Sequence, residues 1–356
     1  TLPTNLISPV AVDYGLMEYL SPSSAAAGNN FDNLFIPFRC VASDIISKES
    51  VVLSNGDLAT AVRASMSYPF YLSPVPYQDK LLFDGGLYNN FPSDVMYEDF
   101  FPDYIIGSNV SSNFEPPDED NIVSQIKTII ADNTEYSIAC DNAILIEPEA
   151  SEFSLFDFDK NQKLIDIGYQ ATVAQIETIK AEVNRRVDKH ELEAKRKVYR
   201  SKLPPLVFED VEITGLKPGQ NKYVRKSIRF KEVTASAEEL EHEYIKVASD
   251  DKIKSIYPTA VFNPNSNNFT LNLKAKKEKD LFVSFGGAFS SRPINEAYIG
   301  LQYNILGKTA VSILADTYFG KLHNSVSAGF RLDFPFQIPF YWKVKYNIDG
   351  WDYFKS

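Results

Sequence analysis

The chain has 356 residues and a net charge of −11, with 44% hydrophobic and 23% charged residues. That composition excludes wholesale disorder, and at roughly 100–200 residues per domain it predicts two or three domains. Residues 1–150 hold 5 Lys and Arg against 21 Asp and Glu, whereas residues 151–356 hold 31 against 26. The acidic half would repel phosphate and the remainder carries no dense Lys/Arg stripe, so no nucleic-acid partner is expected. No apolar run approaches the ~20 residues of a membrane helix. Cys40 and Cys140 are too few for a disulfide framework, and no Cys/His cluster points to zinc. Both read as small buried apolar residues, and no cofactor is expected.

Residues 1–200 read as α/β. Phe35 to Ala42 and Val51 to Leu53 are short apolar strands, the second closed by the turn-forming Ser54-Asn55-Gly56. Asp57 to Met66 reads as a helix with Leu58, Ala61, Val62 and Ser65 on one face, ended by Pro69. Tyr104 to Gly107 and Ala143 to Ile146 look like strands buried on both faces. Gln162 to Arg200 reads as one long helix with Ile165, Tyr169, Ala171/Thr172 and Ile176 facing inward.

Residues 201–279 change character after Leu203-Pro204-Pro205. Val207, Glu209, Val211 and Ile213 form one face of a strand that ends at Gly215. A helix carrying Val224 and Ile228 follows, then one from Ser236 through Ile253. Ser236 and Glu239 form a capping box at its start. Strands at Tyr257–Phe262 and Phe269–Lys276 complete a β-α-α-β-β order.

Residues 280–356 alternate with period two in five runs, the first from Leu281 to Phe289. Ala297, Ile299, Leu301, Tyr303 and Ile305 alternate with Tyr298, Gly300, Gln302 and Asn304. Val326, Ala328, Phe330, Leu332 and Phe334 alternate with Ser327, Gly329, Arg331 and Asp333. Runs of ~10 residues with one apolar and one small or polar face fit transmembrane barrel strands. An antiparallel sandwich with one buried face is the alternative. Five strands are too few to close a membrane barrel.

The stretch Phe38 to Pro92 carries the chemistry. It runs through Ala42-Ser43-Asp44, the helix ending Ala61-Val62-Arg63-Ala64-Ser65-Met66-Ser67-Tyr68-Pro69, and Asp84-Gly85-Gly86-Leu87-Tyr88-Asn89-Asn90-Phe91-Pro92. An Asp-Gly turn alone is common, but this order and spacing resemble the second half of a patatin-like phospholipase domain. The resemblance implies catalysis by a Ser–Asp dyad, with Asp84 as proton acceptor and Gly85 and Gly86 turning the backbone beside it. The nucleophile elbow Gly-x-Ser-x-Gly occurs nowhere in the chain, nor does a glycine-rich oxyanion loop. Ser8, Ser21, Ser23, Ser24, Ser43 and Ser65 lack elbow context. Two explanations follow: a domain truncated at its N-terminal side, whose nucleophilic serine lies outside this chain, or a domain that has lost its nucleophile; the expectation is the first. His190, His242 and His323 read as surface residues.

Downstream, the β-α-α-β-β unit resembles a POTRA domain, and the last region the opening strands of a bacterial surface-antigen barrel, cut short at its end. The whole resembles the outer-membrane patatin–POTRA–barrel proteins of Gram-negative bacteria. This implies an α/β patatin-like domain over 1–200 with the long helix 162–200. It also implies a small α+β POTRA-like domain over 201–279 and the antiparallel strands of an incomplete outer-membrane β-barrel over 280–356. The implied function is lipid acyl hydrolysis, with a phospholipid or other acyl lipid as substrate and the chain held in the outer membrane by its barrel. The patatin domain would be periplasmic or surface-exposed, and this chain alone inactive. The alternative is an outer-membrane transport or assembly module, POTRA plus barrel, with a non-catalytic patatin remnant.

Overall fold

The computed structural model describes residues 5–111, 116–138, 140–153, 157–228, 230, 233–289, 295–335 and 340–352. Parts of the expected barrel region, at 290–294, 336–339 and 353–356, therefore lie outside the described residues. The fold is mixed α/β with several antiparallel sheets. It divides into two compact units, one built on Pro22–Leu203 with the stretch to Pro9, the other on Pro204–Ser356 with Val10–Ser21. The first helix, α1, spans Val10–Ala26.

The first unit centres on strands β1 (Cys40–Asp44), β2 (Glu49–Leu53), β3 (Val75–Tyr77) and β4 (Lys80–Asp84). They form an antiparallel sheet in the order β2-β1-β4-β3. All five residues of β1 are buried, because it is an inner strand and helix α2 (Leu58–Ser65) packs on it. The expected strand from Phe35 begins only at Cys40. Pro37 has no N–H to give a ladder, and Arg39 instead pairs with Asp32 (2.7 Å) and Asp99. Helix α2 starts where expected. Asp57 accepts from the Thr60 N–H (2.8 Å) and hydroxyl (2.6 Å), so Asp57→Ala should cost about 1 kcal/mol, read as a shift in urea midpoint at constant m-value.

Next come α3 (Ser93–Phe100), β5 (Ile105–Ser108), α4 (Ile122–Ile130) and β6 (Ala143–Ile146). Strands β5 and β6 pair in parallel as a two-stranded sheet. Every residue of β6 is half-buried or buried, but β5 is not buried on both faces as expected. Ile105 and Gly107 are covered while Ile106 and Ser108 are exposed. The long helix expected over 162–200 is three: α5 (Asn161–Ala174), α6 (Ile176–Glu182) and α7 (Lys189–Arg200). The Asp188 side chain accepts from the His190 (2.8 Å) and Glu191 (3.3 Å) N–H groups, which starts α7 as a separate helix. Ile165 and Tyr169, expected inward, are exposed. The covered line on α5 runs through Leu164, Ile167, Gly168 and Ala171.

In the second unit, β7 (Val207–Thr214), α8 (Pro218–Ser227), β8 (Ala235–Ser236), α9 (Ala237–Ala248), β9 (Ile253–Asn263) and β10 (Asn268–Lys277) follow in order. The sheet order is β8-β7-β10-β9, with β10 parallel to β7 and antiparallel to β9. A parallel pair needs a long crossover, and here the two helices supply it. Phe208, Val211, Tyr223, Val224, Leu240, Tyr244, Leu271 and Leu273 form the core, joined by Tyr14 and Met17 of α1. The Tyr14 hydroxyl donates to the Ala237 carbonyl (2.6 Å). Pro258 is tolerated because β9 is an edge strand.

Three details differ from strict alternation and simple helix lengths. A register shift opposite the Phe269–Thr270 step leaves Glu209 unpaired on β7. Phe208 and Val211 therefore both face the core, in place of the expected Val207, Glu209, Val211 and Ile213. Helix α9 stops at Ala248, and Ile253 opens the next strand. The capping box stands, with Ser236 accepting from the Glu239 N–H (3.2 Å) and the Glu239 carboxylate from the Ser236 N–H (2.8 Å). Gly215 (φ +84°) ends β7 where a Cβ would sit 2.4 Å from the Ala275 carbonyl oxygen.

Strands β11 (Leu281–Ala288), β12 (Glu296–Leu306), β13 (Ala310–Gly320), β14 (His323–Phe334) and β15 (Phe340–Trp351) form an antiparallel meander. It is an open sheet among the described residues, with β11 and β15 as its edges. On β12–β14 its polarity is inverted, while β11 and β15 are exposed on both faces. Ile299, Leu301, Tyr303, Ile305, Ile313 and Phe330 are exposed, while Asn304, Ser312 and Ser327 are buried. On the polar face Asp316 accepts from Tyr298 (3.1 Å) and Ser327 (3.1 Å) and pairs with Lys345 (3.1 Å). Within this unit Gln220 of α8 donates to the Leu306 carbonyl (3.2 Å), and the buried Lys252 lies 3.4 Å from Asp333.

Candidate active site

Asp84 is the last residue of β4, where the strand passes into a 3₁₀ turn at Gly85–Leu87. Its backbone is fixed on two sides. It pairs with Ala42 across β1, and its N–H donates to the Ser67 carbonyl (3.0 Å). One carboxylate oxygen accepts from the Gly86 N–H (2.8 Å). No side chain hydrogen-bonds Asp84 among the described residues. Burial raises its pKa above the ordinary carboxylate range, and the Gly86 N–H offsets this only in part. A carboxylate so placed has a free oxygen and increased basicity, which is what a proton acceptor requires.

The two glycines are there for space. A Cβ on Gly85 would lie 2.3 Å from the Val41 carbonyl oxygen and 2.8 Å from its carbon, both backbone atoms of β1. The Ser43 hydroxyl, buried, donates to the Gly85 carbonyl (3.3 Å), which ties the turn to the central strand. A Cβ on Gly86 would lie 2.6 Å from Asn90 Oδ1 and 3.1 Å from the Asp84 carboxylate. Gly85→Ala should destabilise the chain by about 1–3 kcal/mol or more, because β1 has no room to shift. Thermal unfolding followed by circular dichroism gives the measurement, with Gly168→Ala, which meets nothing within 4 Å, as comparison.

Arg63 was not singled out by sequence. It is 1% exposed on α2, where helical periodicity gives no reason to bury a guanidinium. It donates to the Ser67 hydroxyl and to the Ser73 carbonyl (3.3 Å), and Ser67 returns a bond to the Arg63 carbonyl (2.7 Å). Since the Ser67 carbonyl receives the Asp84 N–H, Arg63 braces the segment on which Asp84 rests. Tyr68 is the second addition. Burial, then the charges of Tyr71 and Asp84, push its phenol pKa up, which places it in the field of the Asp84 carboxylate. A buried Arg in Arg-x-x-x-Ser spacing is the one local signal that could have marked this brace.

Asp44 also lies under this sheet, 2% exposed. Burial opposes its ionisation, but bonds from Ser47, Ile46 and Leu81 prevail and hold its pKa down to about 2. It is a structural carboxylate of the 44–47 turn, unlike Asp84. The remaining sequence candidates stay apart. Ser65 is half-buried on α2, and the Ser24 hydroxyl accepts from the Leu58 N–H (3.2 Å). Cys40 is buried and its thiol pKa pushed up to about 12 by that burial, whereas Cys140 is only half-buried. His190 and His242 are exposed. His323 is not a surface turn residue but opens β14, 2.7 Å from Glu296.

Residues 14–97 match the family profile of patatin-like phospholipases. An NTE family protein of Mycobacterium tuberculosis is 42% identical over 62 residues, 17% of this chain and 11% of that protein. Neuropathy target esterase of Drosophila melanogaster is 39% identical over 70 residues, 19% of this chain and 5% of that one. Patatin-like phospholipase domain-containing protein 7 of Mus musculus is 36% identical over 77 residues, 21% of this chain and 6% of that one. The match thus spans about a tenth or less of these relatives. Among solved structures, BamA from Haemophilus ducreyi lacking POTRA domains 1–3 aligns with a TM-score of 0.33 and 8% identity, over 47% of this chain and 38% of that one. That likeness is too remote to carry an argument. Through residues 14–97, which contain Asp84, Gly85 and Gly86, this chain is similar to a family of lipid hydrolases.

Proposed function

We propose that this chain carries the acid half of a Ser–Asp lipid acyl hydrolase, joined through a POTRA-like module to strands of an outer-membrane β-barrel. The observation that supports the enzyme most is Asp84: a carboxylate of raised pKa, held at a strand end by backbone alone, with no side-chain partner among the described residues. In this reading a serine supplied from outside the chain attacks the ester carbonyl of a phospholipid. Its proton passes to Asp84, which hands it to the departing lysophospholipid alcohol as the ester C–O bond breaks and the acyl-enzyme forms. Asp84 then takes a proton from the attacking water and returns it to the serine oxygen as the fatty acid is released. Gly86 orients the carboxylate throughout, and Arg63 keeps the Ser67 carbonyl in place behind it.

The sheet β11–β15, inverted on β12–β14, supports the membrane half of the proposal. In a soluble sandwich its covered face would be apolar, and the opposite is found. The β7–β10 module, with two helices on a sheet of mixed direction, supports the POTRA-like reading of 201–279. The purified 356-residue chain should turn over neither a short-chain p-nitrophenyl ester nor a phospholipid. The same chain joined to a segment bearing the Gly-x-Ser-x-Gly elbow should turn over both. Turnover by the chain alone, sensitive to Asp84→Asn, would place the nucleophile within these residues and overturn the dyad as drawn.

A further inference from the structure

Positive charge in the first unit is concentrated in one place. Of the 16 Lys and Arg in residues 1–203, 8 fall between Arg185 and Lys202, beside only three acids, Asp188, Glu191 and Glu193. Averaged over 151–356 this concentration disappears, and the expectation of no dense Lys/Arg stripe is corrected by this run. The division of the long helix isolates it. On α7, Lys189, Arg196, Lys197 and Arg200 recur at i, i+7, i+8 and i+11, so they share one face. Lys189, Lys197 and Arg200 are exposed and have no ion-pair partner among the described residues.

The three acids cancel this charge only in part. Glu191 pairs with Lys195 (2.6 Å) and Glu193 with Arg196 (2.8 Å), while Asp188 caps the helix, so 8 cations against 3 acids leave a net +5. Helix stability does not explain the pattern either. Cations favour the C-terminal turn, which accounts for Lys197 and Arg200. Arg185 follows the C-terminal end of α6, where a cation is favourable, but Lys189 stands in the first turn of α7, where it is not. The placement of Lys189 fits an external anion instead.

We propose that this face of α7 docks on the surface of an anionic phospholipid bilayer. The choice of a bilayer rests on the lipid-hydrolase reading above. Charge complementarity supports it over a nucleic acid. A long polyanion would also meet the rest of the unit, where residues 1–150 carry 5 cations against 21 acids, whereas a flat bilayer need touch only one face. Docked in this way, α7 would hold the hydrolase at the interface that contains its substrate.

The test is flotation of the full chain with phosphatidylcholine vesicles, with and without phosphatidylglycerol. Under the reading above the apolar face of β11–β15 would bind either kind, so the readout is the ratio of the two partition coefficients. Each Lys or Arg at an anionic surface contributes about fivefold, so the three unpaired cations should give a ratio of roughly 10²-fold, collapsing in ~1 M salt. The variant Lys189→Gln/Arg196→Gln/Lys197→Gln/Arg200→Gln should lose it, since Gln keeps helix propensity while removing charge. Lys222→Gln/Lys254→Gln/Lys274→Gln/Lys276→Gln should keep it, as should Lys189→Arg/Lys197→Arg. Retention by the first variant, or equal loss in the second, overturns the proposal. So does loss of the ratio on adding a short DNA duplex at constant salt. Hydrolysis is not read, so an inactive elbow-bearing protein would sink the enzymatic reading without touching this result.

Discussion

Asp84→Asn in a protein that also carries the Gly-x-Ser-x-Gly elbow should lower ester turnover by ~10²-fold or more, the usual contribution of a positioned general base. Asn keeps the size of Asp and an oxygen that can accept the Gly86 N–H, so the turn at Gly85–Leu87 should survive. The same substitution should leave stability unchanged or raise it. Burial is the main cause of the raised Asp84 pKa, so the folded state binds this proton more tightly than the unfolded chain does. Between the ordinary carboxylate range and the raised value, the folded state holds more protons, and this group's contribution to stability increases as pH falls. At neutral pH the ionised Asp84 is a cost that Asn removes. The acid limb of kcat/KM should accordingly lie above the ordinary carboxylate range. Near-normal turnover in a folded Asp84→Asn protein would assign the proton transfer to another group. A loss of stability equal to the loss of activity would make Asp84 a turn residue only.

With the sheet in a bilayer, as proposed, and position 330 near its midplane, Phe330→Arg should destabilise the protein by about 2–4 kcal/mol. Phe330 stands opposite Ile313 on β13 and Val344 on β15, and its ring meets Trp342 edge-on at 5.3 Å. All of these belong to the exposed apolar face, where a guanidinium would replace hydrocarbon contact with lipid. Urea titration of the protein folded into vesicles measures the cost. Ser327→Ala, on the covered face, removes one bond to Asp316 (3.1 Å) and should cost only about 1 kcal/mol. Equal effects at the two positions would mean that the sheet's apolar face meets something other than lipid.

What could be read from the sequence was whatever short-range chemistry decides. Asp57 and Ser236 announce helix starts because a cap needs only a side-chain oxygen and an N–H two or three residues on. The period-two runs of 297–305 and 326–334 announce strands because alternation belongs to the strand itself. Asp84-Gly85-Gly86 announces a turn for the same reason, whereas the steric need for Gly85 comes from Val41 on β1 and the expected role of Asp84 came from the family resemblance.

Tertiary structure decided what depends on a partner elsewhere in the chain. The unpaired Glu209 puts Phe208 and Val211 on one side, and only the pairing with β10 could show this. The segment 162–200 looked continuous because its helix propensity is high throughout. The Asp188 cap and the residues between α6 and α7 divide it, and the division exposes a basic face that composition had averaged away. Alternation on β12–β14 cannot say which face is covered, and the fold covers the polar one. The buried Arg63 and the raised pKa of Asp84 arise from contacts that converge across β1, α2 and β4. Dielectric environment is set by what surrounds a group in space, and sequence spacing does not contain it.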